Sequence, residues 1–299
     1  MSLRAGFVGL GNIGLPMARR IVAAGLDTTV YDLRAEARDA LAAAGARAVE
    51  SCAAVAAAAE VIGVCVRDDA DVRAAVAGDG GLLSAARPGT VIAVHSTIPP
   101  RTVRELGALA AARGVALIDA PITGGAGGAE QGTLTYMVGG DPAALERCRP
   151  VFASAAARIV HCGPLGAGAA TKLCNNLMLY VGFLAAREAA ALARSAGVAL
   201  DTMIDVSRSG NVMTEAMAAV ARFGAAREAA PDDPALRERA RHFTALAEKD
   251  LGVALECAAD AGLDLPGTRQ CLALIARVYG SPLDTRAALA TRDKPEPPV

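Results

Sequence analysis

Lysine is a scarce side chain in this 299-residue sequence, so its few positions are the first candidates for chemistry. Lys172, Lys249 and Lys294 are the only lysines, against twenty-seven arginines. A guanidinium stays charged at any working pH, whereas a buried ammonium group can lose its proton and act as an acid or base. A lysine kept in an arginine-rich chain is therefore a candidate for proton transfer that arginine cannot perform.

Lys172 has the most informative surroundings of the three. Asn175 and Asn176 follow within one helical turn, and a spacing of four places Lys172 and Asn176 on one helix face. The glycine-rich residues 163–166 predict that Lys172 lies early in its helix, where the dipole lowers the pKa of an ammonium group. Such a lysine can accept the hydroxyl proton of an alcohol during hydride transfer, while the amides orient the substrate. The competing interpretation is a solvated surface lysine.

The segment Thr123-Gly124-Gly125 is a candidate anion site. It follows a predicted strand and Pro121, and consecutive glycines after a strand expose backbone N–H groups in an anion-binding arrangement. We expect this segment to bind an anion. An ordinary loop is the alternative.

The remaining lysines and the histidines have weaker contexts. Lys249 lies beside Asp250 in a long amphipathic pattern, and a surface ion pair competes with a functional role there. Lys294 lies in a proline-rich tail and has no predicted role. Packing or surface positions are expected for the histidines, His95, His161 and His242.

A glycine loop near the start of the chain predicts dinucleotide binding. Gly9, Gly11 and Gly14 follow a strand and open a helix, with Asn12 and Ile13 completing the loop. The first glycine permits a tight turn, the second lets the backbone approach a pyrophosphate, and the third allows close packing of helix and strand. Alone the pattern is weak, since a structural glycine turn looks much the same.

Asp32 strengthens the dinucleotide interpretation and bears on the choice of cofactor. It ends the next predicted strand, near the distance from the loop expected for a carboxylate that binds the adenosine ribose. A carboxylate there repels a 2′-phosphate and favours NAD, although Arg34 can partly offset that repulsion and leaves NADP possible. We therefore expect NAD as the cofactor.

The elements that must position these residues change in character along the chain. Short apolar runs alternate with alanine-rich helical stretches in the first half, at 5–8, 28–31, 61–66, 91–94 and 115–118, with two more at 134–138 and 158–160. This alternation predicts an α/β Rossmann-type doubly wound sheet. Helical patterns dominate afterwards, at 168–195, 201–207, 212–223, 237–261 and 266–279. We predict a dinucleotide-binding domain at 1–163, an all-α substrate and dimerisation domain at 164–291, a long interdomain helix joining them, and a flexible tail at 292–299.

Composition excludes several classes of partner. The net charge is −1 and no basic tract appears, which argues against nucleic acid. No uninterrupted apolar run of about 18 residues occurs, so no membrane span is predicted. Seven cysteines without a C-x-x-C pair, and histidines far apart, indicate reduced thiols, a cytoplasmic protein and no metal site. The alanine-rich, aromatic-poor helices suggest faces buried between subunits of a homodimer or homotetramer.

Four separated motifs give the chain a resemblance to the β-hydroxyacid dehydrogenases, the family of 3-hydroxyisobutyrate dehydrogenase and tartronate semialdehyde reductase. The motifs are GFVGLGNIGLPM at 6–17, DAPITGG at 119–125 continuing to GTLTYMVGG at 132–140, GAGAATKLCNN at 166–176, and FTALAEKDL at 243–251. Together they cover nearly the whole chain, and their occurrence in this order is far more specific than any one of them.

The resemblance implies a role for each matching position. It implies that substrate and nicotinamide bind between a Rossmann-type and a helical domain, with Lys172 as the catalytic acid/base and Asn176 holding the substrate. It implies that Thr123, Gly124 and Gly125 bind the substrate carboxylate and that Lys249 closes over the cofactor. The remaining cofactor contacts that it implies are Val66, Arg67, Asp71 and Thr97.

Three departures from the family pattern affect the details. Thr123 stands where serine is commoner, Val66-Arg67 replaces the usual Leu-Pro, and His95 stands where an acidic residue is usual. They leave the reaction class intact and weaken any assignment of one substrate. 3-Hydroxyisobutyrate, tartronate semialdehyde, L-serine and threonate all remain compatible.

The sequence is therefore interpreted as an NAD-dependent dehydrogenase of a small 3-hydroxyacid, with Lys172 exchanging the hydroxyl proton. Two alternatives remain open. One is an NADPH-linked semialdehyde or imine reductase on the same fold, although imine reductases usually replace the lysine. The other is a catalytically silent nucleotide-binding protein, which would tolerate loss of Lys172.

Overall fold

The computed structural model describes residues 3–279. They form two compact units that part between Cys174 and Asn175. The sequence divides the chain earlier, after residue 163, and that domain division remains a proposal. Lys294 and the predicted flexible tail at 292–299 lie outside the described residues.

The first unit alternates strands and helices, as predicted. Its strands are β1 Arg4–Val8, β2 Asp27–Tyr31, β3 Arg47–Ala48, β4 Val61–Val64, β5 Val91–Val94, β6 Ala116–Asp119, β7 Ile122–Thr123, β8 Leu134–Gly139 and β9 Ala156–Gly163. Its helices are α1 Gly14–Ala23, α2 Ala35–Ala42, α3 Cys52–Ala58, α4 Asp69–Ala77, a short 3-10 turn Leu82–Ser84, α5 Pro100–Ala111, α6 Gly125–Gln131 and α7 Pro142–Phe152. All the predicted strands recur within a few residues, and β3 and β7 are short additions that had no sequence signal.

The strands form one sheet in the order β3-β2-β1-β4-β5-β6-β8-β7, with β9 pairing on β8. Pairing is parallel from β3 to β6, and β8 runs antiparallel to both β6 and β7. The order reverses between β1 and β4, which is the switch point where Rossmann-type sheets bind dinucleotides at the carboxyl edge. The predicted doubly wound Rossmann-type fold is confirmed.

Both faces of this sheet are buried, which explains the continuous apolar runs of its strands. Successive residues of a strand point to opposite faces, so Val91 packs with Phe7 on one side while Ile92 packs with Val64 on the other. Helices on both faces complete these two cores. The sheet is therefore a rigid support for the loops at its carboxyl edge.

Helices make up the second unit, and they confirm the predicted helical C-terminal region. They are α8 Ala167–Ser195, which begins in the first unit and continues through the division, α9 Leu200–Ser209, α10 Glu215–Ala229, α11 Pro234–Asp260 and α12 Pro266–Tyr279. Thr214 caps α10 and Asp233 caps α11 with side-chain oxygens. The aromatic and aliphatic side chains of these helices form a separate core around Phe183, Leu251 and Ile275.

By length and composition, α8 is apolar enough to cross a membrane. The mean hydropathy of its most apolar 18-residue window is 1.2, and 33% of that window is buried. The central helix of a helical domain has the same composition, and Tyr180 and Phe183 of α8 lie in the core of the second unit. The length and composition of α8 therefore fit the central helix of a helical unit as well as a membrane span.

Candidate functional site

The three loop glycines have three different surroundings. Gly9 has φ +91°, and a Cβ there would lie 2.3 Å from the carbonyl oxygen of Cys65. A Cβ on Gly14 would lie 1.9 Å from the carbonyl oxygen of Gly9, so α1 packs directly on the loop. Gly11, in contrast, has no atom within 4 Å of its would-be Cβ. The fold requires Gly9 and Gly14, and the space beside Gly11 suits the close approach of a pyrophosphate.

The start of α1 suits an anion as well. Its N-cap residue, Ile13, makes no side-chain cap hydrogen bond. The first N–H groups of a helix lack intrahelical partners, and the helix dipole favours negative charge there. Loop and helix start together fit the phosphates of a dinucleotide.

Asp32 lies at the carboxyl end of β2 and is tied to the glycine loop. Its Oδ2 accepts a hydrogen bond from the backbone N–H of Leu10 at 2.6 Å, and its Oδ1 accepts one from the backbone N–H of Arg34 at 2.9 Å. Burial raises the pKa of Asp32, but these N–H donors outweigh burial and hold the pKa below its usual range. Asp32 is therefore an ionised acceptor at the position where a ribose hydroxyl would bind.

The guanidinium of Arg34 also contacts the Asp32 carboxylate. Its Nε lies 3.2 Å from Oδ1 of Asp32, and its Nη2 donates to the carbonyl oxygen of Leu10 at 2.8 Å. The guanidinium thus braces the glycine loop against β2. Arg34 would have to break its contacts with Asp32 and the Leu10 carbonyl before it could bind a 2′-phosphate.

The other predicted cofactor residues lie in the loops after β4 and β5 and in the first turn of α4. Ser96 joins these loops, because its hydroxyl accepts from the backbone N–H of Val66 at 2.9 Å and donates to the Val66 carbonyl at 2.8 Å. Arg67 forms a bidentate ion pair with Asp71 at 2.8 and 3.2 Å, and its side chain is 82% exposed. Thr97 follows Ser96 and is half-buried. Sequence reasoning missed Ser96, whose only signal was its place between His95 and Thr97.

The predicted carboxylate loop links β7 to α6. Thr123 ends β7, which continues the direction of β6 along the antiparallel strand β8, so the loop projects beyond the carboxyl end of β6. Gly124 and Gly125 have φ values of +122° and +63°, which residues with a side chain rarely adopt, so the loop depends on both glycines. A Cβ on Gly125 would meet no atom within 4 Å. This geometry can bind an anion.

Lys172 lies in the second turn of α8 and is half-buried. The first turn of that helix is held by Asp119, the last residue of β6, whose carboxylate accepts from the backbone N–H groups of Gly166 at 2.8 Å and Ala169 at 2.6 Å. Burial raises the pKa of Asp119, and the backbone donors partly counteract it. Because the parallel strands share one carboxyl edge, the helix that bears Lys172 starts at the edge that carries the glycine loop.

The other predicted substrate residues lie in the second unit, around Asp250. Asn176 is buried and donates from Nδ2 to Oδ2 of Asp250 at 2.7 Å, while Asn175 donates to Oδ1 of Asn176 at 3.3 Å. The hydroxyl of Tyr180 donates to the same Asp250 oxygen at 3.1 Å, and burial raises the pKa of Tyr180. Lys249 Nζ lies 2.9 Å from Oδ1 of Asp250, in an ion pair between a partly exposed ammonium group and a buried carboxylate.

The structure thus places the predicted residues in two groups. The first unit contains Gly9, Gly11, Asn12, Ile13, Gly14, Asp32, Val66, Arg67, Asp71, Thr97, Thr123, Gly124, Gly125 and Lys172, and the second contains Asn175, Asn176 and Lys249. Sequence reasoning missed Asp119 and Asp250. Each had one signal, its place inside a quoted motif. Within residues 3–279, no group of three or more His, Cys, Asp or Glu side chains could hold a metal ion.

The chain is similar to known proteins over nearly its whole length. The sequence profile of the NAD binding domain of 6-phosphogluconate dehydrogenase matches residues 4–163, and the profile described as NAD-binding of NADP-dependent 3-hydroxyisobutyrate dehydrogenase matches residues 166–291. An uncharacterized oxidoreductase of Mycobacterium tuberculosis is 37% identical over 96% of this chain and 97% of its own. The NAD-dependent L-serine dehydrogenase of Pseudomonas aeruginosa is 39% identical over 84% of each chain. Among solved structures, the 3-hydroxyisobutyrate dehydrogenase of Mycobacterium tuberculosis with L-serine has a TM-score of 0.79 and 33% identity, covering 98% of this chain and 100% of that one.

Proposed function

Because the chain belongs to the 3-hydroxyisobutyrate dehydrogenase family of NAD(P)-dependent oxidoreductases, we propose that it oxidises a small 3-hydroxyacid with NAD and that Lys172 exchanges the hydroxyl proton. One observation carries the proposal. The helix that bears Lys172 starts at Asp119, on the same carboxyl edge of the sheet as the glycine loop and Asp32. The proposed proton acceptor and the proposed phosphate loop therefore belong to one compact unit, which supports the proposal.

Each side chain has a task that follows from its chemistry. When bound, the nicotinamide supplies the acceptor for the hydride that leaves the carbinol carbon. Lys172, as the neutral amine, accepts the hydroxyl proton at Nζ and returns it in the reverse reaction. The backbone N–H groups of Gly124 and Gly125 and the hydroxyl of Thr123 hold the substrate carboxylate. Asn176 orients the substrate, with Asn175 beside it, and Lys249 serves the cofactor.

NAD is proposed ahead of NADP. Asp32 is ionised and accepts hydrogen bonds from two backbone N–H groups. Its negative charge would repel a 2′-phosphate, and its oxygens can accept hydrogen bonds from ribose hydroxyls. Arg34 is the cation placed to offset that repulsion, but its guanidinium is engaged by Asp32 and Leu10. Of the remaining predicted cofactor contacts, Val66 and Arg67 follow β4, Asp71 lies in the first turn of α4, and Thr97 follows β5.

We also propose a cytoplasmic homodimer or homotetramer. Large apolar side chains are exposed on α8 and α9, at Met178, Leu192 and Val206, and at Val212 in the connection between α9 and α10. Isolated exposed apolar residues are ordinary, but several on one helical unit suit burial against a second copy. Light scattering coupled to size-exclusion chromatography measures this directly, and a monomeric mass at micromolar concentration would contradict it.

A substrate panel tests the reaction. Purified enzyme is assayed for NADH formation with 3-hydroxyisobutyrate, L-serine and threonate, for NADH consumption with tartronate semialdehyde, and with NADP(H) in parallel. Lys172→Ala should lower kcat by roughly 10²–10⁴-fold, as loss of an acid/base group does, while NADH still binds. Lys172→Arg should be equally slow, because arginine cannot cycle a proton. Cys174→Ala is the control, because Cys174 is exposed on the same helix and has no proposed role, so its kcat should match that of wild type. Near-normal turnover of Lys172→Ala would contradict the proposed acid/base role of Lys172.

A further inference from the structure

The helix that bears Lys172 starts on a carboxylate supplied by a distant strand. Asp119 is 1% exposed, and its two oxygens accept from the N–H groups of Gly166 and Ala169, 47 and 50 residues further along the chain. An ordinary N-cap comes from the residue just before the helix and moves with it. This cap belongs to the sheet, so it fixes the first turn of α8 relative to β6.

Two glycines bring the backbone against this carboxylate. A Cβ on Gly139 would lie 2.5 Å from Oδ1 of Asp119 and 2.7 Å from the backbone nitrogen of Gly168. A Cβ on Gly168 would lie 2.9 Å from Oδ2 of Asp119 and 2.2 Å from the carbonyl oxygen of Met137. The helix start therefore packs closely on β8 and on the Asp119 carboxylate of β6. This packing leaves no room for the first turn to slide along the sheet.

Lys172 follows Ala169 by three residues, so it lies in the turn that continues the one held by Asp119. We propose that Asp119 is a positioning residue for Lys172: its carboxylate sets the depth and direction of the first turn of α8, and thereby the place of the Lys172 ammonium group at the carboxyl edge of the sheet. The inference rests on the proposed acid/base role of Lys172. Asp119 itself exchanges no proton with the substrate.

The inference differs from a purely structural cap in what it predicts for kinetics. A displacement of about 1 Å at a reacting group can lower the rate roughly 10²-fold without affecting binding elsewhere. A cap that serves only stability lowers the melting temperature and leaves turnover of the folded enzyme unchanged. The two roles therefore separate in kcat, measured on variants that remain folded.

The experiment uses Asp119→Asn and Asp119→Ser, which each remove the carboxyl group with its two acceptor oxygens, with Asp141→Ala as the matched control. Asp141 caps α7 in the same unit by accepting from the N–H of Ala143 at 2.9 Å, and α7 carries no proposed catalytic residue. We expect kcat to fall between about 10- and 100-fold in the Asp119 variants, with the Kd for NADH within about twofold of wild type. Asp141→Ala should keep its kcat.

A double-mutant cycle with Lys172→Ala shows whether Asp119 acts through the lysine. If it does, Asp119→Asn should change the residual single-turnover rate of Lys172→Ala by less than about twofold, because groups that act as a unit are not additive. Equal losses in both backgrounds, a kcat that matches the Asp141 control, or failure of both Asp119 variants to fold would each overturn the inference. Normal turnover of Lys172→Ala alone would instead remove the proposed function on which it rests.

Discussion

Asn176 donates its side-chain amide to Oδ2 of Asp250 over 2.7 Å, and both side chains are buried. The carboxylate accepts only, so it decides which way the Asn176 amide faces: Nδ2 points to Asp250 and Oδ1 points away, toward Asn175. A buried carboxylate is costly unless it is hydrogen-bonded or paired, and Tyr180 and Lys249 supply the other contacts. The orientation of a proposed substrate residue is thus set by a group 74 positions away.

Removing this carboxylate should affect substrate binding more than cofactor binding. In Asp250→Ala, Asn176 loses the acceptor that fixes its amide, so we expect the KM for the hydroxyacid to rise roughly tenfold or more, with stability lower by about 1–3 kcal/mol for each buried donor left unsatisfied. Steady-state kinetics and urea unfolding measure the two effects. Tyr180→Phe is the matched control, because it removes one hydrogen bond to Asp250 and leaves Asn176 held. It should lose about 1 kcal/mol of stability and keep its KM. An unchanged KM in Asp250→Ala would contradict the orienting role.

Local sequence and long-range contacts differ in how well they could be predicted. The glycine loop, the strands and Asp32 were predictable, because their roles depend on neighbours in sequence and on strand and helix periodicity. The partners of Asp119, and the partners Asn176 and Tyr180 of Asp250, were not, because they lie at least 47 positions away and only the folded topology brings them together. His95 illustrates the same limit: its sequence names no partner, yet it lies in an aromatic cluster with Phe7 and Tyr136.

Two glycines of one loop should respond in opposite ways to the same added methyl group. Gly11→Ala meets no atom within 4 Å, so the free energy of unfolding should stay within about 1 kcal/mol of wild type, while NADH binding weakens roughly tenfold because the methyl group fills the approach to the backbone. Gly14→Ala places a Cβ 1.9 Å from the Gly9 carbonyl and should cost about 3 kcal/mol or more of stability. Urea unfolding and NADH fluorescence titration distinguish them. A Gly11→Ala variant that binds NADH normally would argue against the proposed pyrophosphate position.

Asp32 and Arg34 should control the choice between NAD and NADP. Asp32→Ala removes the acceptor for ribose hydroxyls and releases Arg34, so kcat/KM for NAD should fall roughly 10- to 100-fold while the preference for NAD over NADP shrinks. Arg34→Ala is the companion variant. It keeps the carboxylate and should leave the NAD preference in place or increase it. Parallel assays with both cofactors measure the ratio, and a ratio unchanged in Asp32→Ala would show that another residue sets it.

His95 should make the stability of the first unit depend on pH. Its Nδ1 lies 2.8 Å from the carbonyl oxygen of Ala120, which only accepts, so Nδ1 carries the proton and the buried ring is neutral. Burial lowers the pKa of His95 from 6.5 to about 4, and the hydrogen bond to Ala120 only partly opposes it. Between pH 6.5 and about pH 4, the unfolded chain therefore binds a proton at His95 that the native protein does not bind. The stability contribution is fully present above pH 6.5 and is lost as the pH falls toward 4, by on the order of 3 kcal/mol.

His95→Phe isolates this contribution, because phenylalanine keeps an aromatic ring beside Phe7 and cannot titrate. It should be less stable than wild type at pH 7.5, since the Ala120 carbonyl loses its donor. The difference should shrink steadily between pH 6.5 and pH 4.5 as wild type loses stability and the variant does not. Urea unfolding at half-unit pH steps measures both curves, with His242→Gln as the control, because His242 is exposed and its replacement should leave the pH dependence of wild type intact. Parallel curves for wild type and His95→Phe would mean that other groups cause the acid sensitivity.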